Sequence, residues 1–189
     1  SGSRDPFGFH EVLVETPRHL PSLVDESVEQ LVDVVTMYQR RMRSLMSQTA
    51  IASVVVFKNE GPPAGASQDH PHSQIIAFPF RPPLLMTRVQ YVAKYGQEHR
   101  RSYFESMVGQ ARNSGRIVAE TKNMLAFCHH ASRFPLEVTI VPTAGGADFG
   151  DTSPDELRDL AEIAHESVRS LFDLVGRCAF NWVLHSLPK

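Results

Sequence analysis

Cysteine is scarce, long apolar runs are missing and net charge is nearly nil, and each shortage removes a class of protein. Only two cysteines, Cys128 and Cys178, occur in 189 residues, too few and too far apart to read as a disulfide framework. Both sit in apolar runs, AFCHH and GRCAFNW, and read as reduced, buried thiols. No stretch comes near the roughly 18 to 20 consecutive apolar residues that a membrane-spanning helix needs. The opening SGSRDPFGFH lacks the basic start, apolar centre and cleavage site of a secretory leader, so a cytoplasmic protein is expected. Lysine plus arginine (19) against aspartate plus glutamate (21) leaves a formal charge of −2 and a pI near 6.5. Neither nucleic acid nor an anionic membrane is therefore an expected partner. With 42% hydrophobic and 21% charged residues, the composition excludes disordered and collagen-like chains and fits a globular domain.

The residues present are strongly patterned. HEVLVE (10–15) alternates as a half-buried strand does, and Thr16-Pro17 ends it. From about Asp25, apolar residues at Val28, Leu31, Val35, Tyr38, Met42 and Leu45 mark one face of a long helix. Strands are expected at Ile51–Phe57 and Ser73–Phe78, separated by a loop rich in glycine and proline. One or two helices should span about Met86 to Arg112, followed by strands at 116–120, 124–128 and 136–141. Ser153, Pro154 and Glu156 spell a capping box before a helix whose stripe is Leu157, Leu160, Ala164, Val168, Leu171 and Val175. A last strand is expected at Cys178–Leu184.

HEVLVETP (10–17) reappears as LEVTIVPT (136–143), and each copy leads through a loop into a long amphipathic helix and an apolar strand. Two related halves sharing a sheet account for this better than a solenoid, which needs more and shorter copies. The division that follows is a first half at 1–85, a helical connection at 86–115 and a second half at 116–189.

Chemistry concentrates in FKNEGPPAGASQDHPHSQIIAF (57–78). Its small residues let backbone N–H groups approach an anion, as in a phosphate-binding nest. His70 and His72, two apart on extended chain, point the same way, and Gln74 continues that face. A neutral imidazole there can serve as nucleophile, general base or metal ligand.

HPHSQ (70–74), preceded by FKNEG (57–61) and AGAS (64–67), resembles the galactose-1-phosphate uridylyltransferase family of the histidine triad superfamily. EVLVETPRH (11–19), RIVAETKNMLAF (116–127), ASRFPLEVTIVP (131–142) and NWVLHSLP (181–188) extend the resemblance over nearly the whole chain. It implies an α+β, histidine-triad-like fold, an antiparallel sheet from two homologous halves packed with long helices. It also implies transfer of a nucleotide from UDP-glucose to a hexose 1-phosphate through a covalent nucleotidyl-histidine. Under the resemblance His72 is the nucleophile, Gln74 a hydrogen-bond donor to the phosphoryl oxygens, and Asn59, Gly65 and Ser67 substrate-binding residues. His19 and His70 match two ligands of a structural zinc, and a homodimer is implied.

Departures from the family pattern qualify these expectations. No Cys-x-x-C precedes position 10 to complete a zinc tetrad, so His19 and His70 have the alternative of bonding nearby backbone. Arg88 in PLLMTR and the sequence PTAGG stand where some members hold a second metal. The chain also reads as lacking segments that the family carries at both ends. ADP-glucose phosphorylase or another nucleotide-sugar-cleaving activity, and an inactive nucleotide-binding homologue, are the alternatives. Among the other candidates, His129 and His130 read as loop residues, His99–Arg101 as a solvated helix end, His165 as structural and Trp182 as core. His185 matches a family histidine to which no role is given.

Overall fold

Alternation decides which side of each strand is covered. In β1 (Phe9–Val14) Phe9, Glu11 and Leu13 turn inward while His10, Val12 and Val14 stay exposed. The computed structural model describes residues 7–144 and 148–186. β1 pairs antiparallel with β3 (His72–Phe78), and β3 with β2 (Ser53–Glu60). The fourth strand, β7 (Phe180–Leu184), comes from the far end of the chain and pairs antiparallel with β2, giving the order β1-β3-β2-β7.

The inner face of this sheet lies on helix α1 (Val28–Met46), whose Ser27 accepts a hydrogen bond from the Gln30 N–H and so satisfies a free first-turn donor. Leu31, Val35, Tyr38, Met42 and Leu45 of α1 form one core with Val54, Val56, Ile75 and Ala77 of the sheet. Helix α4 (Pro154–Val175) adds Leu157, Ala161 and Val168 to that core. Its other side, through Ile163, packs on Met124 and Ala126 of a second antiparallel sheet, ordered β4 (Ile117–Glu120), β5 (Met124–Cys128), β6 (Val138–Pro142). Beyond that sheet Met107, Val108 and Ala111 of α3 (Tyr103–Arg112) cover Leu125, Phe127 and Val141. The layers are thus four-stranded sheet, α1 with α4, three-stranded sheet, α3.

The expected elements are present, with shifts that have local causes. β1 stops at Val14, ahead of Thr16-Pro17, although Glu15 keeps the inward alternation and its N–H still reaches the Pro71 carbonyl at 3.1 Å. The first long helix starts at Val28 rather than Asp25, since 23–25 form a 3-10 turn ahead of the Ser27 cap. β2 runs on through Lys58, Asn59 and Glu60 because β7 pairs with it there, Asn59 opposite Asn181 and Glu60 opposite Phe180. The 86–112 region is two helices, α2 (Pro83–His99) and α3, separated where Arg100 adopts a left-handed φ of 52°. The α4 stripe ends before Val175, which is 49% exposed. Cys128 and Cys178 are unpaired, as expected, but only partly buried, Cys128 at the end of β5 and Cys178 just ahead of β7. Among the described residues no helix is long and apolar enough to cross a membrane.

Candidate functional site

The face of the four-stranded sheet turned away from α1 collects the chemistry. Ser73, Ile75 and Ala77 of β3 point into the core, which puts His72, Gln74 and Ile76 on the opposite face. Val14 lies opposite His72 and Val12 opposite Gln74, and both valines are exposed, at 59% and 60%. Gln74 pairs with Phe57 on β2, and the same register continued by two residues sets Asn59 beside His72.

His72 is held from its own loop. Its Nδ1 lies 2.8 Å from the backbone oxygen of His70. A carbonyl only accepts, so Nδ1 carries a proton, and in the neutral ring this tautomer leaves the lone pair on Nε2. The ring is largely covered, at 7% exposure.

Behind β3 lies a buried polar network. Lys58 Nζ, 1% exposed, donates to Glu15 Oε2 at 2.7 Å and reaches the His72 carbonyl at 3.4 Å. The Ser73 hydroxyl donates to Glu15 Oε1, and the Tyr38 hydroxyl shares its one proton between Ser73 Oγ, 2.5 Å away, and Glu15 Oε1, 3.3 Å away. Burial, and then the Glu15 charge, push the Tyr38 phenol well above its ordinary pKa. Gln30 Nε2 donates to the Glu15 backbone oxygen at 2.7 Å, so β1, β2, β3 and α1 are tied together directly beneath His72.

The loop 61–69 closes the site. Gly65 has φ 88°, left-handed, where a side chain would be strained. Gly61, at φ 82°, approaches Ala179 so closely that a Cβ would lie 3.0 Å from the alanine Cβ. The N–H groups of Ala64, Gly65 and Ala66 donate to the carbonyls of Gly61 and Pro62. The expected backbone nest is therefore corrected at these three amides, because the 3-10 turn at 62–64 consumes them. The side-chain groups of this segment that can donate are the Asn59 amide and the exposed Ser67 hydroxyl.

His19 and His70 are brought together, with Nδ1 atoms 3.2 Å apart. His70 Nε2 donates to the Thr16 oxygen at 2.7 Å, so in the neutral ring His70 Nδ1, which faces His19, carries the lone pair. Two nitrogen ligands at zinc distances of ~2.0–2.1 Å on a tetrahedral edge stand about 3.3 Å apart, so this pair fits one such edge. Among the described residues no cluster of three or more histidine, cysteine, aspartate or glutamate side chains could hold a metal, so half the tetrahedron has no donor here.

Reading the sequence alone missed four contributors. His10 Nε2 meets Gln74 Oε1 at 2.8 Å. Asn181 of β7 donates to Asn59 Oδ1 at 2.7 Å and to the Ala64 oxygen at 2.8 Å. Lys58 and Glu15 form the buried pair. His10 had a signal, since the alternation of HEVLVE puts it on the same side as Val12 and Val14; Asn181 had none, because its partner is 122 residues away. Trp182 packs against Tyr38 on the inner face, and His165 Nε2 donates to the Val24 oxygen at 3.2 Å, both structural as expected. His129 and His130 stack on each other in their loop. His185 accepts from Arg88 at 3.1 Å; burial, then the Arg88 charge, lower its pKa. Two surface hollows, of about 350 and 290 Å³, are lined by other residues, Arg169 and Phe172 in the larger and Met46 and Leu85 in the smaller.

An HPH turn feeding a strand inside a sheet completed by the second half is a histidine-triad-like arrangement. The family model described as galactose-1-phosphate uridyl transferase, N-terminal domain, matches residues 3–82. Residues 3–82 thus match that family's N-terminal domain, and most of the chain is similar to galactose-1-phosphate uridylyltransferases. Galactose-1-phosphate uridylyltransferase of Thermotoga maritima is 31% identical over 156 residues, 82% of this chain and 49% of that protein. ADP-glucose phosphorylase of Arabidopsis thaliana is 26% identical over 182 residues, 96% of this chain and 51% of that protein. A solved uridylyltransferase mutant superposes with a TM-score of 0.91 at 27% identity, covering 96% of this chain and 59% of its own. The chain spans about half the length of the curated relatives it matches.

Proposed function

We propose that this chain carries the nucleotidyl-transfer site of a UDP-glucose–hexose-1-phosphate uridylyltransferase. His72 Nε2 attacks the α-phosphorus, the bond to the sugar 1-phosphate breaks, and a nucleotidyl-histidine forms. A second sugar 1-phosphate then attacks that phosphorus and releases the imidazole. The observation that supports this reading is the hydrogen bond from His72 Nδ1 to the His70 carbonyl, which orients the ring and, in its neutral form, leaves the lone pair on Nε2. Gln74 and Asn59 lie on the same face, with amides suited to the charge that builds on the phosphoryl oxygens, and the Ser67 hydroxyl and the Gly65 turn complete the substrate loop. Incubation with α-labelled UDP-glucose should place acid-labile, alkali-stable label on the protein, and His72→Asn should abolish it. Nucleotide binding without label would identify a non-catalytic homologue. ADP-glucose as donor is a second reading, favoured by the match to ADP-glucose phosphorylase along 96% of the chain, and label from ADP-glucose alone would establish it.

We propose further that His19 and His70 hold zinc only weakly within this chain, as a structural ion that takes no part in the transfer. Two nitrogens make an open site. Elemental analysis should find well under one equivalent, lower still in His70→Ala. A full equivalent that survives mild chelation would overturn this.

A further inference from the structure

We propose that Asn181 is a positioning residue that fixes the side-chain amide of Asn59, so that strand β7 of the second half aims an anion donor in the first. The amide of Asn181 faces two oxygens, Asn59 Oδ1 at 2.7 Å and the Ala64 backbone oxygen at 2.8 Å. The Ala64 carbonyl only accepts, so the group turned toward it must be the NH2 of Asn181, and its two hydrogens supply both bonds. The Asn59 atom that meets this NH2 must then be its oxygen. The orientation of a second amide follows from the first, and Asn59 Nδ2 is directed toward the left-handed Gly65, 3.7 Å from where a Cβ on that glycine would lie. A flipped Asn59 would set NH2 against NH2 and lose the bond, which favours the observed orientation.

Sheet register makes the contact rigid. Asn59 and Asn181 stand directly opposite each other in the β2–β7 pair, and Gly61 closes on Ala179 at the same end. Asn181 is exposed, so its amide adds nothing to the core, and the bond to Ala64 holds the substrate loop against the strand. The inference rests on the reading above only in taking Asn59 to face the phosphates of a nucleotide sugar.

The test is a double-mutant cycle on the rate of label transfer from saturating and limiting UDP-glucose, or ADP-glucose if that is the donor that labels. Asn181→Ala should slow labelling about tenfold, with a melting temperature close to that of the parent chain, and Asn59→Ala should slow it at least as much. The double variant should be no slower than Asn59→Ala within about twofold, because Asn181 acts through Asn59. Losses that multiply would overturn the proposal. Asn181→Ser, which keeps one hydrogen, should recover part of the rate, and it carries the test if the alanine variant folds poorly. A second measurement needs no turnover. In ¹H–¹⁵N spectra both side-chain amide protons of Asn181 should exchange slowly with solvent, and inorganic pyrophosphate should shift the Asn59 side-chain amide in the parent chain but not in Asn181→Ala. Parent protein that takes no label from either donor sinks the transfer reading alone. An Asn181 amide exchanging as fast as free asparagine sinks this one.

Discussion

Lys58 is fully buried, and its only compensation is polar: Glu15 at 2.7 Å, Glu60 at 3.7 Å and the His72 carbonyl. An ion pair in such a place gains little net stability over well-packed apolar residues, but losing one partner strands the other charge. Lys58→Met should therefore destabilise the chain by about 3–5 kcal/mol, and Lys58→Met combined with Glu15→Leu should recover much of the loss. Urea denaturation of the three variants measures this, and a single variant as stable as the parent would show that the charges are not paired in the folded state. At this scale the sequence was partly legible. His70, His72 and Gln74 stand out because their i, i+2 spacing is local; the structure puts His72 and Gln74 on one face of β3, while the His70 ring, ahead of the strand, bonds the Thr16 oxygen and meets His19. Lys58 and Glu15 read only as letters of FKNEG and HEVLVE, because their meeting depends on the pairing of β1, β3 and β2.

Among the elements, α4 is the one whose boundary was readable letter by letter. Ser153 Oγ accepts the Glu156 N–H while the Glu156 carboxylate accepts the Ser153 N–H at 2.8 Å, a reciprocal bond made entirely within four residues. Ser153→Ala should cost about 1 kcal/mol in thermal or chemical unfolding. The Ser153 side chain and then its backbone hold the Glu156 carboxyl below its ordinary value of 4.5. Arg41 does the same for Glu11, and Arg177 for Asp25. A carboxylate whose folded pKa is depressed stabilises the fold fully above its unfolded value and loses that contribution as pH falls through the folded one. Stability should accordingly drop as pH falls below the usual carboxylate range, and the gap between Ser153→Ala and the parent should narrow there. A gap that is constant from pH 7 to pH 3 would rule out the carboxylate's share in the cap. The far end of β2 was illegible for the opposite reason. Lys58-Asn59-Glu60 is polar and carries no strand signal, and only β7, arriving after more than a hundred residues, makes it one.

Across the whole molecule, the repeat of HEVLVETP in LEVTIVPT suggested two related halves sharing one sheet, but the described strands fall into two sheets with one copy in each, and β7 is the strand that the second half lends to the first. What the repeat could not reveal is how unequal the sharing is. β4, β5 and β6 form a sheet of their own, while Phe180, Trp182 and Leu184 of β7, with Leu157, Ala161 and Val168 of α4, complete the core beneath the site. A division of the chain at 85 and 115 would then mark a repeat and not units that fold alone. Residues 1–115 expressed by themselves would leave the β2 edge unpaired at Asn59 and expose the α1 and β2 surface that α4 and β7 cover. Such a fragment should bind a hydrophobic dye, melt without a sharp transition and take no label from a nucleotide sugar, and residues 116–189 supplied in trans should restore a cooperative melt. A sharp thermal transition from the first fragment alone would show that the first half holds its core unaided. Asn181 would then act on an independently folded site, and losing it would weaken the substrate loop without unfolding the sheet.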